Sequence, residues 1–549
     1  MTRHRAQWLL LAGIGISGAI GLGGAWLIDQ LAAVRGPAPL RRAGAALLWG
    51  AGWTASTRGW WVAAYYQAVG ALLHLDRWPR AGALALIAGW IFWALLLSAA
   101  MPATRRWRDA ERARQSPGRL PPPPTTLPAR PPHLPADGTC LGLAAGALPV
   151  VLTDAQAQTH TLAIGATGSG KTNAIAWLMG DAIARGHAVV FIDGKGSPDL
   201  LRHAQEVCRQ AGRECRPFTF AGGAHWNPLR HGDHTHQRDL LSAAQEWSHP
   251  YFQAVAERYL GVVTQALAAT GTPASLQGVT QLLGPNTKPL QMLIRRVPDA
   301  DLAERLFDIV ERPDEGTRSG VAGLAHRLGR LSEAQIGPWL EPARHGAPEI
   351  DLVETATTAG GPVAYFSIDA LAYPTTGRLL AAMVLQDLQH VASLLLAQGN
   401  RRPVHVFIDE FSPFDVQQLL ALLNRGREAG ICCVLATQDL ADLERTGGRT
   451  AVDQVLANTG TKLCLRVDVR QTAERLAATV GTRPAWRATQ RMVGDLPTGE
   501  GTARVEEVPV LEPSVLMQLH RGEAVLMRKH PNLSVQQVRL YRAGGPARD

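Results

Sequence analysis

The sequence predicts an α/β nucleotide-binding core, interrupted by an all-α insertion and preceded by a two-span membrane anchor. Three observations predict it. Residues 161–164 read as a short buried strand, and Gly165 to Thr172 (GATGSGKT) then fits the pattern G-x-x-x-x-G-K-[ST] at every fixed position. Residues 404–408 (VHVFI) form an apolar run that ends in Asp409-Glu410. Residues 8–28 and 81–101 are uncharged stretches of 21 residues each, long enough to cross a bilayer.

The first observation carries specific chemistry. Glycines let backbone N–H groups turn inward around phosphate oxygens, and a helix from 173 to 179 points its positive end at them. Gly165, Thr167, Gly168, Ser169, Gly170, Lys171 and Thr172 are therefore the candidate nucleotide-binding residues. Lys171 is expected to reach the β- and γ-phosphates of ATP, and the Thr172 hydroxyl to ligate Mg²⁺. A glycine-rich turn of another kind would lack the strand before it, the helix after it and the acidic strand later in the chain.

The anchor comes first in the chain. After the basic start Arg3-His4-Arg5, the span 8–28 is longer than a signal-peptide core and is followed by a second span, so it reads as an uncleaved helix. Ten of the 15 tryptophans precede residue 110, as expected for rings at headgroup level. Arginines flank the second span on both sides, so the positive-inside rule barely discriminates. ATP is a cytoplasmic substrate, which places the core and both termini inside, with 1–114 as the anchor and a short extracytoplasmic loop. The formal net charge of +9 suits anionic partners, DNA or acidic lipid, although much of the arginine excess lies beside the spans. The six cysteines show no C-x-x-C pair and fall after residue 130, as buried free thiols of a reducing compartment would.

Residues 115–138 hold nine prolines, an extended spacer unable to form a core. The first part of the core, 139–238, contains the phosphate loop and a second buried strand, 188–193 (AVVFID), followed by Gly194-Lys195-Gly196. A third strand is expected at 216–220, then Trp226-Asn227-Pro228-Leu229. His225, His231, His234 and His236 cluster there, and a solvated loop is the default reading over a metal site. From 239 to 345 the spacing turns helical with few β-branched runs, which predicts the all-α insertion. The core resumes over 346–549, with a strand at 361–368 and a long helix at 377–396.

The acidic strand completes the candidate site. Asp409 is expected in the Mg²⁺ shell and Glu410 as the general base that polarises the attacking water. A helix over 419–429 delivers Asn424, Arg425 and Arg427, and the next apolar strand, 431–436, ends in Thr437-Gln438. The Gln438 amide sits where it would sense the γ-phosphate or position water. Arg427, between these two strands, is the candidate arginine supplied in trans to a neighbouring subunit, with Arg425 its close rival.

These segments together resemble a known family. GATGSGKT after a membrane anchor, FIDGKGSPDL, WNPL, VHVFIDEF, LLNRGREAG, ICCVLATQDLADL and ANTGTKLCLRVDVRQTAERLA look like type IV secretion coupling proteins of the TraD/TraG type, over about 140–530. The nucleotide motifs are shared with all HerA/FtsK-like pumps; the insertion and the two-span anchor point to coupling proteins. The resemblance implies a RecA-like P-loop ATPase, a homohexamer at the bacterial inner membrane. It would link DNA with its relaxase to a secretion channel and pump single-stranded DNA. One departure stands out: relatives tend to have proline in place of Gly194. Two other readings stay open at this point, an FtsK-type double-stranded DNA translocase and a receptor that uses ATP only as a switch.

Overall fold

The computed structural model describes residues 118–128 and 136–543, apart from 244–246, 248, 312–314, 345, 401, 412–413 and 494–495. Both expected spans, 8–28 and 81–101, lie outside the described residues. Among the described residues one helix, Pro374–Ala397, is long and apolar enough to cross a membrane, and 61% of its apolar window is buried in the protein. It is a core helix here.

The strands are β1 (Gly138–Ala144), β2 (Leu148–Thr153), β3 (Thr161–Ile164), β4 (Ala188–Asp193), β5 (Cys215–Phe218), β6 (Val363–Ser367), β7 (Val404–Asp409), β8 (Ile431–Thr437), β9 (Thr461–Cys464), β10 (Thr482–Val493), β11 (Leu496–Pro509), β12 (Glu523–Arg528) and β13 (Ser534–Leu540). Eleven of them form one sheet in the order β2-β1-β13-β12-β9-β3-β8-β7-β4-β6-β5. From β9 to β5 every pairing is parallel. From β9 outward through β12, β13, β1 and β2 every pairing is antiparallel. The parallel strands are buried on both faces, which is why β4, β7 and β8 read as unbroken apolar runs. Alternate residues feed two cores. Val190 and Ile192 of β4 join one, Val189 and Phe191 the other.

Helix α1 (Lys171–Ala184) follows the phosphate loop, and α2 (Pro198–Gln210) follows β4. Ser197 caps α2 by accepting from the Leu200 N–H, and Pro198 fits the first turn, where no N–H is needed. Between β5 and β6 the described residues form helices α3 (His234–Ala243), α4 (Pro250–Ala269), α5 (Leu276–Leu283), α6 (Lys288–Ile294), α7 (Ala300–Glu311) and α8 (Glu315–Ser332), then one short helix over Leu352–Thr357, with no strand among them. The helical run begins at 234, five residues before the expected 239. Leu260, Val263, Leu324 and Leu328 of these helices share one apolar core with Phe366 of β6 and Leu380 of α9 (Pro374–Ala397). The insertion is thus built onto one face of the sheet.

The later helices are α10 (Val416–Gly426), α11 (Leu440–Asn458) and α12 (Arg470–Ala478). Strands β10 and β11 pair only with each other, as a long antiparallel hairpin. Residues of the proline-rich stretch lie along the core: the Gly118 carbonyl accepts from the Glu512 N–H, and Arg539 reaches the Thr125 carbonyl.

Candidate active site

In the parallel part of the sheet β3, β8, β7 and β4 are successive neighbours, so the residues that follow their carboxyl ends meet at one edge. Ligand sites in open α/β sheets form there, because the loops turn away and leave a crevice. The phosphate loop leaves β3, Gln438 follows β8, Asp409-Glu410 ends β7, and Asp193 ends β4.

The loop's shape depends on glycine at two positions. Gly168 and Gly170 have φ of 78° and 107°, a region that side chains disfavour. The loop is tied down on three sides. The Gly165 N–H reaches the Thr437 carbonyl and the Ala166 N–H the Arg466 carbonyl, while the Ser169 carbonyl accepts from the Gly522 N–H. Helix α1 then starts at Lys171, and its first-turn N–H groups have no intrahelical partner.

Lys171 is 5% exposed, and its Nζ has no hydrogen-bond acceptor. Its nearest anion is the Glu410 carboxylate, 3.8 Å away. Burial pulls its pKa down to about 8 against the opposing pull of Glu410. Ser169 Oγ and Asp409 Oδ1 are likewise buried without a partner. Burial pushes the Asp409 carboxyl above its ordinary value, opposed by Lys195 and Lys171. Thr172 is exposed at the mouth of the loop. A buried ammonium without a hydrogen-bond acceptor beside a buried carboxylate oxygen without a donor leaves polar groups that need partners. A phosphate chain and its cation would complete both.

Glu410 is the hub. Its Oε2 accepts from Gln438 Nε2 at 3.0 Å and lies 3.4 Å from Lys195 Nζ. The Thr167 hydroxyl donates to Gln438 Oε1 at 2.9 Å, which links the phosphate loop to the acidic strand through one amide. Glu410 has a left-handed backbone, φ 59°, uncommon for a residue with a side chain and found where surroundings impose it. The structure therefore brings Lys171, Glu410, Gln438 and Thr167 together, with Asp409 beside them.

It does not bring Arg427 to this group. Arg427 is exposed just past the end of α10, which extends over 416–426 and stops short of the expected 429. Its charge helps depress the pKa of His160, mainly lowered by burial, and His160 precedes β3 at the opposite edge of the sheet. Arg425 is exposed on the same last turn.

The histidines of the 225–236 loop are dispersed. His225 Nδ1 contacts the Glu341 carbonyl, His231 pairs with Asp351 at 2.8 Å, and His236 stacks on His390. Among the described residues no cluster of histidine, cysteine and acid could hold a metal ion.

Lys195 has no counterpart in the sequence-derived set. The signal was available: its loop follows β4, and β4 pairs with the acidic strand in register from Ala188↔Val404 to Asp193↔Asp409. The contact of Gly522 with the phosphate loop had no local signal at all.

A family model described as the type IV secretion-system coupling protein DNA-binding domain matches residues 143–305, and one described as the TraM recognition site of TraD and TraG matches 403–521. The type 4 coupling protein DotL of Legionella pneumophila is 39% identical over 57 residues, which is 10% of this chain and 7% of that protein's length. Among solved structures, the unbound bacterial conjugative coupling protein TrwBΔN70 superposes with a TM-score of 0.54 at 17% identity, over 74% of this chain and 91% of that one. Plasmid coupling protein TrwB in complex with ADP and Mg²⁺ gives 0.53 at 17% identity, over 76% and 92%.

Proposed function

Because this chain belongs to the family of type IV secretion coupling proteins, we propose that it hydrolyses ATP at the β3–β8–β7–β4 edge to drive DNA transfer. It would recruit DNA with its relaxase to a type IV secretion channel, as a membrane-anchored homohexamer at the bacterial inner membrane. The observation that carries the reading is the link from the phosphate loop through Thr167 and Gln438 to Glu410, a base placed 3.8 Å from the phosphate-loop lysine.

The residues fit Mg²⁺ and nucleotide. The loop's backbone N–H groups and Lys171 would hold the phosphates, and Thr172 and Asp409 the cation, whose charge neutralises the phosphates when bound. Asp409 Oδ1, buried and without a hydrogen-bond partner, is the oxygen such a cation would take. Glu410 would accept the proton of the attacking water, and Gln438, hydrogen-bonded to both Thr167 and Glu410, would orient it. Lys171 has no hydrogen-bond acceptor of its own, so phosphate would compete only with the looser ion pair to Glu410 at 3.8 Å.

Steady-state ATP turnover by the full chain, with and without single-stranded DNA, tests this. Wild type should hydrolyse ATP faster with DNA. Lys171→Ala should abolish turnover, and Glu410→Gln should bind ATP and hydrolyse it at no more than a small residual rate, since an amide cannot take the proton. Turnover by Glu410→Gln at the wild-type rate removes Glu410 as the base. Turnover indifferent to DNA favours the receptor that uses ATP as a switch.

A further inference from the structure

The loop after β4 presents a second lysine to Glu410, on an element the nucleotide motifs do not include. Lys195 Nζ lies 3.4 Å from Glu410 Oε2, closer than Lys171 at 3.8 Å. Its side chain is 40% exposed, so it lies at the mouth of the site while Lys171 is buried within.

What aims Lys195 is unusually rigid. Asp193 is fully buried, and its carboxylate accepts the backbone N–H groups of Lys195 (2.9 Å), Gly196 (3.0 Å) and Ser197 (2.6 Å) together with the Tyr365 hydroxyl (2.9 Å). The Gly194 N–H reaches the Asp409 carbonyl at 3.0 Å, which joins this loop to the acidic strand one residue before Glu410. Gly196, at φ 68°, turns the chain where a Cβ would lie 2.8 Å from the Asp369 side chain. Four hydrogen bonds to one carboxylate and a backbone tie to Asp409 fix the lysine's Cα relative to Glu410.

A phosphate held by Lys171 would draw on the charge that this lysine also offers to Glu410. We propose that Lys195 is a positioning residue, which holds the Glu410 carboxylate at the mouth of the phosphate loop once Lys171 is engaged; this rests on the ATPase reading above. Lys195 approaches from the β4 side and Gln438 from the β8 side, so Glu410 is braced from both strands that flank its own. Among the described residues, Lys195 is the lysine that meets Glu410 from the β4 side and Lys171 the one that meets it from the phosphate loop.

The test is steady-state MgATP hydrolysis by the full chain carrying Lys195→Met or Lys195→Arg, alone and combined with Glu410→Gln. Lys195→Met should lower kcat by about 10- to 100-fold, the usual cost of a misplaced reacting group, and leave KM and nucleotide affinity unchanged. Lys195→Arg should recover most of the loss, because charge at that place is what Glu410 needs. In the Glu410→Gln background Lys195→Met should slow the residual rate no further, since it acts through the glutamate. Weakened nucleotide affinity with unchanged kcat makes Lys195 a phosphate ligand and overturns the proposal. So does a further loss on top of Glu410→Gln, or an unchanged kcat. An inert wild-type chain overturns the ATPase reading itself, an outcome distinct from an active wild type with an indifferent Lys195.

Discussion

The surroundings of Gly194 exclude a proline at that position. Its N–H donates to the Asp409 carbonyl, a bond that proline cannot make. A Cβ there would lie 2.6 Å from the Glu410 carbonyl oxygen, which the left-handed backbone of Glu410 brings against the glycine. Gly194→Pro should therefore cost about 2–4 kcal/mol, one backbone hydrogen bond plus a backbone clash. It should also lower turnover by disturbing Glu410, with nucleotide binding kept. Thermal unfolding and ATP turnover check both, and a variant as stable and active as wild type would show that the β4 loop moves freely. At this scale the sequence shows residue types that chemistry demands in a local pattern, such as Lys171, Thr172 and Asp409-Glu410. It could not show the approach of Lys195 to Glu410, because 215 residues separate them and only the β4–β7 pairing joins them.

Elements are held together by residues that read as motif and act as clasps. Trp226 of the WNPL segment is buried against Phe218 and Phe366, and its indole N–H donates to Asp387 of α9 at 3.0 Å. Asn227 next to it donates to the Ala274 carbonyl at the entry to α5, so adjacent residues grip the core helix and the insertion. Asp387 sits fully enclosed, and burial pushes its pKa up to about 7, with the Trp226 bond opposing. An unfolded aspartate titrates near 3.9. The folded chain thus holds an extra proton between those values, and the stability this group contributes is full below about pH 4 and lost as pH rises through 7. Asp387→Asn keeps an acceptor for the indole and cannot ionise. Relative to wild type it should gain about 1–3 kcal/mol at pH 8 and little at pH 4, readable as a Tm difference that grows with pH. A pH-independent difference would place the ionisation elsewhere. The parallel core strands were legible because burial on both faces makes them continuous apolar runs. The β10–β11 hairpin and the antiparallel strands β1, β2 and β13 were not: glycine, proline or polar and charged residues interrupt their apolar runs, and β1 meets β13 from the far end of the chain.

On the scale of the whole molecule, topology divides the candidate residues between two edges of one sheet. The phosphate loop, Gln438, Glu410 and Lys195 occupy the carboxyl edge, whereas Arg427 lies past the end of α10, where the chain is about to enter β8 at the opposite edge. Its near neighbour in charge, His160, precedes β3, and the length of that four-residue strand, about 13 Å, separates it from the phosphate loop. Arg427 is thus turned away from its own chain's site, and it is exposed, as a residue offered to another subunit must be. If a ring sets this edge against the next subunit's phosphate loop, Arg427 would act there, where such an arginine is worth about 10³ or more in rate. Arg427→Ala should then bind ATP normally and hydrolyse it poorly, with Arg425→Ala far less affected. Mixed with Lys171→Ala subunits, it should recover activity. An interface that pairs the intact loop of one variant with the intact arginine of the other is complete, about one in four at equal random mixing. Co-assembly is verified by differential tags, and turnover of the mixture is compared with that of either parent. If demonstrated mixed assemblies stay as inactive as both parents, Arg427 does not complete a neighbour's site.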